Sequence, residues 1–460
     1  MKRYIFFFQI MFCMLGAFFQ SALALDLSTI RVLDIETAQK IALADNPSLA
    51  AAEDRVRQAR ERVHQARAAY WPRLDTTASG ARVWLSDSAH ESSLVSARTF
   101  DPAARMDDPE DHYKIGITAT WLLFDGFERK FSNAGARYGE KESEWARAET
   151  RRLLLSSVAM SYYGAQLARE NIAIAKANEA FNQRQVEDAK ARQRIGTGSL
   201  SDVLNFEVQI NTAKAELINA NQEYEVAMFG LAAILGISDA KLPPHLELAP
   251  LGPETSAELT SPAHESLIAY AQVHRPDILQ NNYTLRRAIS DIGLAKARFY
   301  PTLNLSASAE GEQAGSAGFE EDDFGNTVSL NLSYNLFAGG ANMAQIREAR
   351  HKKAEAEKNL KQTQISVTSE VREAIAKLEA AQKQMSLQRL NADLVRQNRD
   401  LVEKEYAAGQ TSLVRLNEAQ RDLITAQSRL ASALVSLRQA WHDLEVSTGR
   451  ILLASEGEKE

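Results

Sequence analysis

The chain has 460 residues, a formal net charge of −7 and a single cysteine, Cys13. The acidic balance argues against a nucleic-acid partner, and one cysteine cannot form an internal disulfide. The eight histidines show no i, i+3 or i, i+4 pair, and there is no phosphate-binding glycine loop or cysteine nucleophile, so neither a metal, a cofactor nor an enzymatic role is expected.

The N-terminus carries Lys2-Arg3, an apolar run from Tyr4 to Phe19 and then Ala22-Leu23-Ala24. This is the pattern of a cleaved secretory signal over residues 1–24. The alternative, a retained anchor, has a run short of the roughly 20 residues a spanning helix needs. Cys13 lies inside the signal behind the bulky Phe12, so no lipid anchor is expected.

The rest of the chain is written twice. Asn46-Pro47, Ala66-Arg67-Ala68 and Tyr70-Trp71-Pro72-Arg73-Leu74 recur as Arg275-Pro276, Ala295-Lys296-Ala297 and Phe299-Tyr300-Pro301-Thr302-Leu303, offset by 229. Leu123-Phe124-Asp125-Gly126 and Gly196 recur as Leu336-Phe337-Ala338-Gly339 and Gly409, offset by 213. The period far exceeds solenoid repeats and reads as internal duplication of one large unit. Two repeats over 25–240 and 263–455 are expected, joined by a linker at 241–262.

Each repeat opens with a helix, in the first over roughly Asp34 to Tyr70. Hydrophobicity then alternates with period two, which predicts strands at 73–85 and 113–124, and again at 302–311 and 326–337. Tyr113, Ile115, Ile117, Ala119, Trp121 and Leu123 alternate with Lys114, Gly116, Thr118, Thr120 and Leu122; Val328, Leu330 and Leu332 alternate with Thr327, Ser329 and Asn331. One apolar and one polar face over about ten residues suits a membrane barrel, or a half-buried soluble hairpin. Aromatics at the strand ends, Tyr70-Trp71, Phe124, Phe299-Tyr300 and Phe337, favour the barrel. Acidic residues at the tips, Asp87, Glu91, Asp101, Asp107, Asp108, Glu110 and Asp111 in the first hairpin and Glu310, Glu312 and Glu320 to Asp323 in the second, read as solvated loops. Four strands cannot close a barrel, and open edges are not tolerated in lipid, so other copies must complete it.

Long helices at 126–195 and 340–408 follow, with no proline inside. At 1.5 Å per residue each would run about 100 Å. Helices at 199–236 and 411–449 carry heptads: Leu416, Leu423, Leu430, Leu437 and Leu444 against Ala419, Ala426, Ala433 and Ala440, matched by Val203, Ile210, Leu217, Tyr224 and Leu231 against Phe206, Ala213, Ala220, Ala227 and Ile234. Such a seam packs helices closely in coiled-coil fashion.

A chain with this order, with Tyr-Trp-Pro and Phe-Tyr-Pro before the strands, Leu-Phe-Asp-Gly and Leu-Phe-Ala-Gly after them, and the Gly196 and Gly409 turns, resembles the TolC family of outer-membrane efflux and secretion channels. The resemblance implies a membrane α+β fold: a homotrimer forming a 12-strand outer-membrane β-barrel, four strands per chain, continued by a periplasmic α-helical barrel of coiled-coil helices. It implies an exit duct fed by a periplasmic adaptor (membrane fusion) protein and an inner-membrane pump of RND or ABC type. A passive porin in outer-membrane lipid, or a structural periplasmic coiled-coil protein, are the alternatives.

By the same resemblance the two turns form a periplasmic aperture, with Ile195, Gly196, Thr197, Ala408, Gly409 and Gln410 meeting the adaptor; the glycines could equally serve only as helix ends. The family's lock bonds a tyrosine to an aspartate, matched here by Tyr406 and Asp202. Its usual arginine is replaced by Thr411, and two acidic positions fall on Arg415 and Glu418, which can pair at i, i+3 or be a plain surface pair.

Overall fold

A computed structural model describes residues 30–106 and 109–454. The secretory signal with Cys13, and Asp107 and Asp108 of the first tip, lie outside the described residues. In chain order the elements are β1 (Val32–Leu33), α1 (Ile35–Asp45), α2 (Pro47–Ala68), β2 (Arg73–Val83), α3 (Asp87–Phe100), β3 (Glu110–Phe124), α4 (Glu128–Arg194) and α5 (Leu200–Ile234). Then come β4 (Glu247–Leu248), α6 (His264–His274), α7 (Pro276–Ala297), β5 (Thr302–Ala314), β6 (Phe324–Ser333), α8 (Ala341–Ala407), α9 (Leu413–Thr448) and the short α10 (Ile451–Ala454). Two compact units are present: one holds Arg55–Trp145 and Leu279–Thr363, the other holds the chain up to Asp54, Ala146–Ile278 and the chain from Gln364 on.

The opening helix expected over Asp34 to Tyr70 is two helices. Pro47 forces the residue before it out of helical conformation, and Asn46 has φ −72° and ψ 121°. Its side chain repairs the break: Oδ1 accepts from the Ser48 N–H at 2.9 Å, and Nδ2 donates to the Ile234 carbonyl at 2.8 Å. Arg275-Pro276 separates α6 from α7 in the same manner.

In the sheet unit the strands run in the order β2-β3-β5-β6, every pair antiparallel. Because the side-chain period is two, register decides the faces. Trp121, Leu305 and Leu330 align across three strands on one face, and Ala119, Ala307 and Val328 beside them. Thr120, Ser306 and Ser329 align on the other, where the Ser306 and Ser329 hydroxyls are 2.7 Å apart. The apolar face is bare within this chain, with Val328 76% and Leu332 69% exposed. Neither outer edge, β2 nor β6, has a strand partner among the described residues.

Two expectations for this unit change. The last strand ends at Ser333 instead of 337: Ser333 pairs with Thr302, the residue at which β5 begins, and the next residue back, Pro301, has no N–H to donate. The first tip is not simply a solvated loop: it contains α3, started by the Ser86 carbonyl, which accepts from the Ala89 and His90 N–H groups, with Ala89, Leu94 and Ala97 half-buried along one side.

The Leu-Phe-Asp-Gly landmark has a local cause. Asp125, almost fully buried, accepts from the Arg129 backbone N–H and from its guanidinium Nε, both at 2.8 Å, and so starts α4. Gly126 follows at φ +65°, where an added Cβ would lie 2.4 Å from the Ala297 carbonyl oxygen.

The other unit is dominated by helices. All nine heptad residues of α9 are buried, as are Val203, Phe206, Ile210, Ala213, Ala220 and Leu231 of α5. The α9 C-terminus ends on Gly449 in left-handed conformation. Two buried arginines reach its last carbonyls: Arg152 donates to Val446 and Arg275 to Ser447, each at 3.0 Å. Cations there oppose the partial negative charge of a helix C-terminus. Short strands β1 and β4 pair in parallel, which no periodicity announced, and bury Leu33 and Leu248. No described helix is long and apolar enough to cross a membrane.

Candidate functional site

The helices α4 and α5, and again α8 and α9, are joined by tight turns, each with one glycine in left-handed conformation. Gly196 has φ +81° and Gly409 φ +73°, a region costly for side-chain-bearing residues. In the first turn the Thr197 and Gly198 N–H groups donate back to the Arg192 carbonyl at 3.0 and 3.1 Å. In the second, Gly409 donates to Tyr406 at 3.0 Å and Gln410 to Glu405 at 2.9 Å. Satisfying the last helix carbonyls in this way is what a left-handed C-terminal residue permits. Ile195, 75% exposed, stands at the outside of the first turn, and Ala408 and Gln410 are exposed on the second.

Each helix leaving a turn is capped by serine. Ser199 accepts from the Asp202 N–H at 3.1 Å and Ser412 from the Arg415 N–H at 3.3 Å, so these two residues hold equivalent positions three residues into α5 and α9. A carboxylate in a first helical turn is favoured by the dipole and a guanidinium is disfavoured, by roughly 0.3–1 kcal/mol each. Arg415 is therefore poorly placed for helix stability; it pairs with Glu418 at 3.7 Å, and both are more than half exposed.

Beneath the turns the four helices share one apolar cluster: Phe181, Val186 and Ala189 of α4, Val203, Phe206 and Ile210 of α5, Val402 of α8, and Leu416 and Ala419 of α9. Tyr406 and Leu413 pack against it. Two further contacts join helices here: Lys190 with Glu207 at 2.7 Å, and the Asn417 amide with Asn205 Oδ1 at 3.0 Å.

The expected bond between Tyr406 and Asp202 is absent. The tyrosine ring instead meets the Phe206 ring edge-on at 6.2 Å, and the Arg192 guanidinium lies over it at 5.2 Å from the centroid. Burial first, and the Asp202 carboxylate second, raise the Tyr406 hydroxyl above its ordinary range, against the pull of Arg192. Thr411 is half-buried in the turn. Sequence spacing brought Asp202, Tyr406, Thr411, Arg415 and Glu418 to these turns, but gave no hint of Arg192, whose ring partner lies on another helix more than two hundred residues away.

Comparison with known proteins places this arrangement in context. A family profile described as outer membrane efflux protein matches residues 39–237 and 267–450. The outer membrane efflux protein BepC of Brucella suis is 28% identical over 351 residues, 74% of this chain and 71% of the relative. The alkaline protease secretion protein AprF of Pseudomonas aeruginosa is 25% identical over 417 residues, 89% of this chain and 82% of the relative. Among solved structures, CusC, described as forming a transmembrane channel, superposes with a TM-score of 0.74 at 20% identity, over 91% of this chain and 93% of that one.

Proposed function

The chain belongs to the outer membrane efflux protein family, and on that premise we propose that it is the outer-membrane exit duct of a tripartite export machine. It carries substrates from an inner-membrane pump, RND-type or ABC-type, and a periplasmic adaptor to the cell exterior. The observation that carries this reading is the four-stranded sheet, apolar on one face and polar on the other, with both edges unpaired among the described residues. Lipid on the apolar face and water on the polar face is the arrangement of a transmembrane barrel. Unpaired edges are costly in lipid, so other copies complete the barrel; the family likeness makes them three chains, with twelve strands in all. The long helices and their heptad partners continue as the periplasmic tunnel.

Internal duplication is supported by matched lengths: α1 and α6 have 11 residues each, α2 and α7 have 22, and α4 and α8 have 67. In this reading the two turns are the periplasmic end. Asp202, Tyr406, Thr411, Arg415 and Glu418 line and hold the aperture, and Ile195, Gly196, Thr197, Ala408, Gly409 and Gln410 meet the adaptor. Arg415, disfavoured where it stands in α9, fits a residue kept for the aperture rather than for the helix. AprF bears the name of a protein-secretion component and BepC that of an efflux protein, so protein or small-molecule cargo both suit the duct.

Fractionation tests the proposal. A heat-resistant trimer is expected in the outer membrane, co-purifying with an adaptor. Monomer in the soluble periplasm overturns it, and a trimer that binds no adaptor returns the protein to a passive porin.

A further inference from the structure

Backbone hydrogen bonds tie each turn to the helix that leads into it. The Arg192 carbonyl accepts from Thr197 N–H, Gly198 N–H and, at 3.3 Å, the Thr197 hydroxyl. The first turn also runs close to this residue: a Cβ at Gly198 would lie 2.9 Å from the Arg192 Cβ, a space glycine leaves open. In the second turn the Tyr406 carbonyl accepts from Gly409 N–H, beside the Glu405 carbonyl, which accepts from Gln410 N–H. The side chains of Arg192 and Tyr406, one from each set of acceptors, meet, guanidinium over ring at 5.2 Å, both half-buried, with Phe206 supporting the ring from its edge. The hydroxyl makes no hydrogen bond to Asp202, so the hold on Tyr406 is exerted on its face.

We propose that Arg192 is a positioning residue of the gate, clasping the first turn to the second through the face of Tyr406 and so favouring the closed aperture. Parting the turns separates a cation from an aromatic face. The clasp exists once per chain, because the residue at the equivalent place before the second turn is Glu405, which carries the wrong charge to sit on a ring face. The inference rests on the proposed aperture, and it differs from a hydroxyl-based lock in which part of Tyr406 matters.

Single-channel recording of purified trimers in planar bilayers separates these readings. Arg192→Gln and Tyr406→Leu are expected to raise the open fraction about five-fold, Arg192→Lys less, and Tyr406→Phe not at all, because the ring survives. A Tyr406→Phe channel as open as Tyr406→Leu assigns the hold to the hydroxyl and overturns the clasp. So does a silent Arg192→Gln. Arg415→Glu, at the same turns but outside the clasp, reports on the aperture itself. If it alters cation preference while Arg192→Gln does nothing, only the clasp fails; if neither changes conduction, the turns are not the aperture. Heat-resistant trimers in each preparation exclude misfolding as the cause of opening.

Discussion

Arg275 is the most heavily committed side chain in the helical unit. It is 1% exposed and donates to both Asp277 oxygens, to Glu370 at 2.5 Å and to the Ser447 carbonyl. Removing one partner of a buried charge network costs about 3–5 kcal/mol, because the desolvation remains while the attraction is lost. Arg275→Leu is thus expected to lower the trimer melting temperature sharply, read by loss of the heat-resistant band on a temperature series. His442 gives a pH-dependent counterpart. Burial holds its imidazole below the ordinary range, and the Glu445 carboxylate 3.8 Å away is itself pushed upward by burial and offers little attraction. A base with a depressed folded pKa contributes stability that is intact above its unfolded value, about 6.5, and is lost as pH falls through the folded value. Glu445 acts in the opposite sense, losing its contribution as pH rises through its raised value. The His442 share of this dependence is read by difference: as pH drops from 7 to 5, the parent protein should lose more melting temperature than His442→Gln does.

Among the elements, those set by a repeating pattern were readable and those set by a single contact were not. The α9 seam announced itself because leucine and alanine recur every seven residues, and every one of those positions is buried. The break at Asn46-Pro47 was visible as a repeat marker, yet its meaning lay in a proline rule rather than in periodicity. The strands β1 and β4 have two residues each, too short for any period. In α3 the helical spacing of Ala89, Leu94 and Ala97 is hidden among serines. The residues at the turns could be located by counting from two glycines; the partner of Tyr406 could not, because a ring contact between distant helices leaves no trace in spacing. One landmark does discriminate between the two halves. Gly126 and Gly339 both have positive φ, but only at Gly126 would a Cβ strike backbone, while at Gly339 nothing lies within 4 Å. Gly339→Ala should cost about 1–2 kcal/mol for the left-handed conformation alone, and Gly126→Ala distinctly more, a difference measurable as the ratio of trimer yields.

At the scale of the whole molecule the two faces of the sheet make opposite demands. Leu330 lies on the apolar face and Ser329, one residue earlier, on the polar face. With lipid against the first, Leu330→Arg is expected to cost about 2–4 kcal/mol near mid-membrane and to deplete assembled protein from the outer membrane. Ser329→Arg should leave assembly intact and lower single-channel conductance, since it adds bulk and positive charge to the water-filled side. Equal effects on assembly from both substitutions would argue against a barrel.

The pairing of β3 with β5 also sets a timetable. It joins His112 to Ala314 and Trp121 to Leu305, so the central seam of the sheet closes only after about two hundred intervening residues have been made. Until then the first hairpin is a two-stranded ribbon, which has marginal stability in water. Contacts between such distant segments form slowly, since the chain entropy is lost before the contacts repay it. The exported polypeptide therefore spends an interval with apolar strand faces and open edges exposed to water, a state prone to aggregate. Escorting by a holding chaperone would matter most in that interval, before the second hairpin arrives.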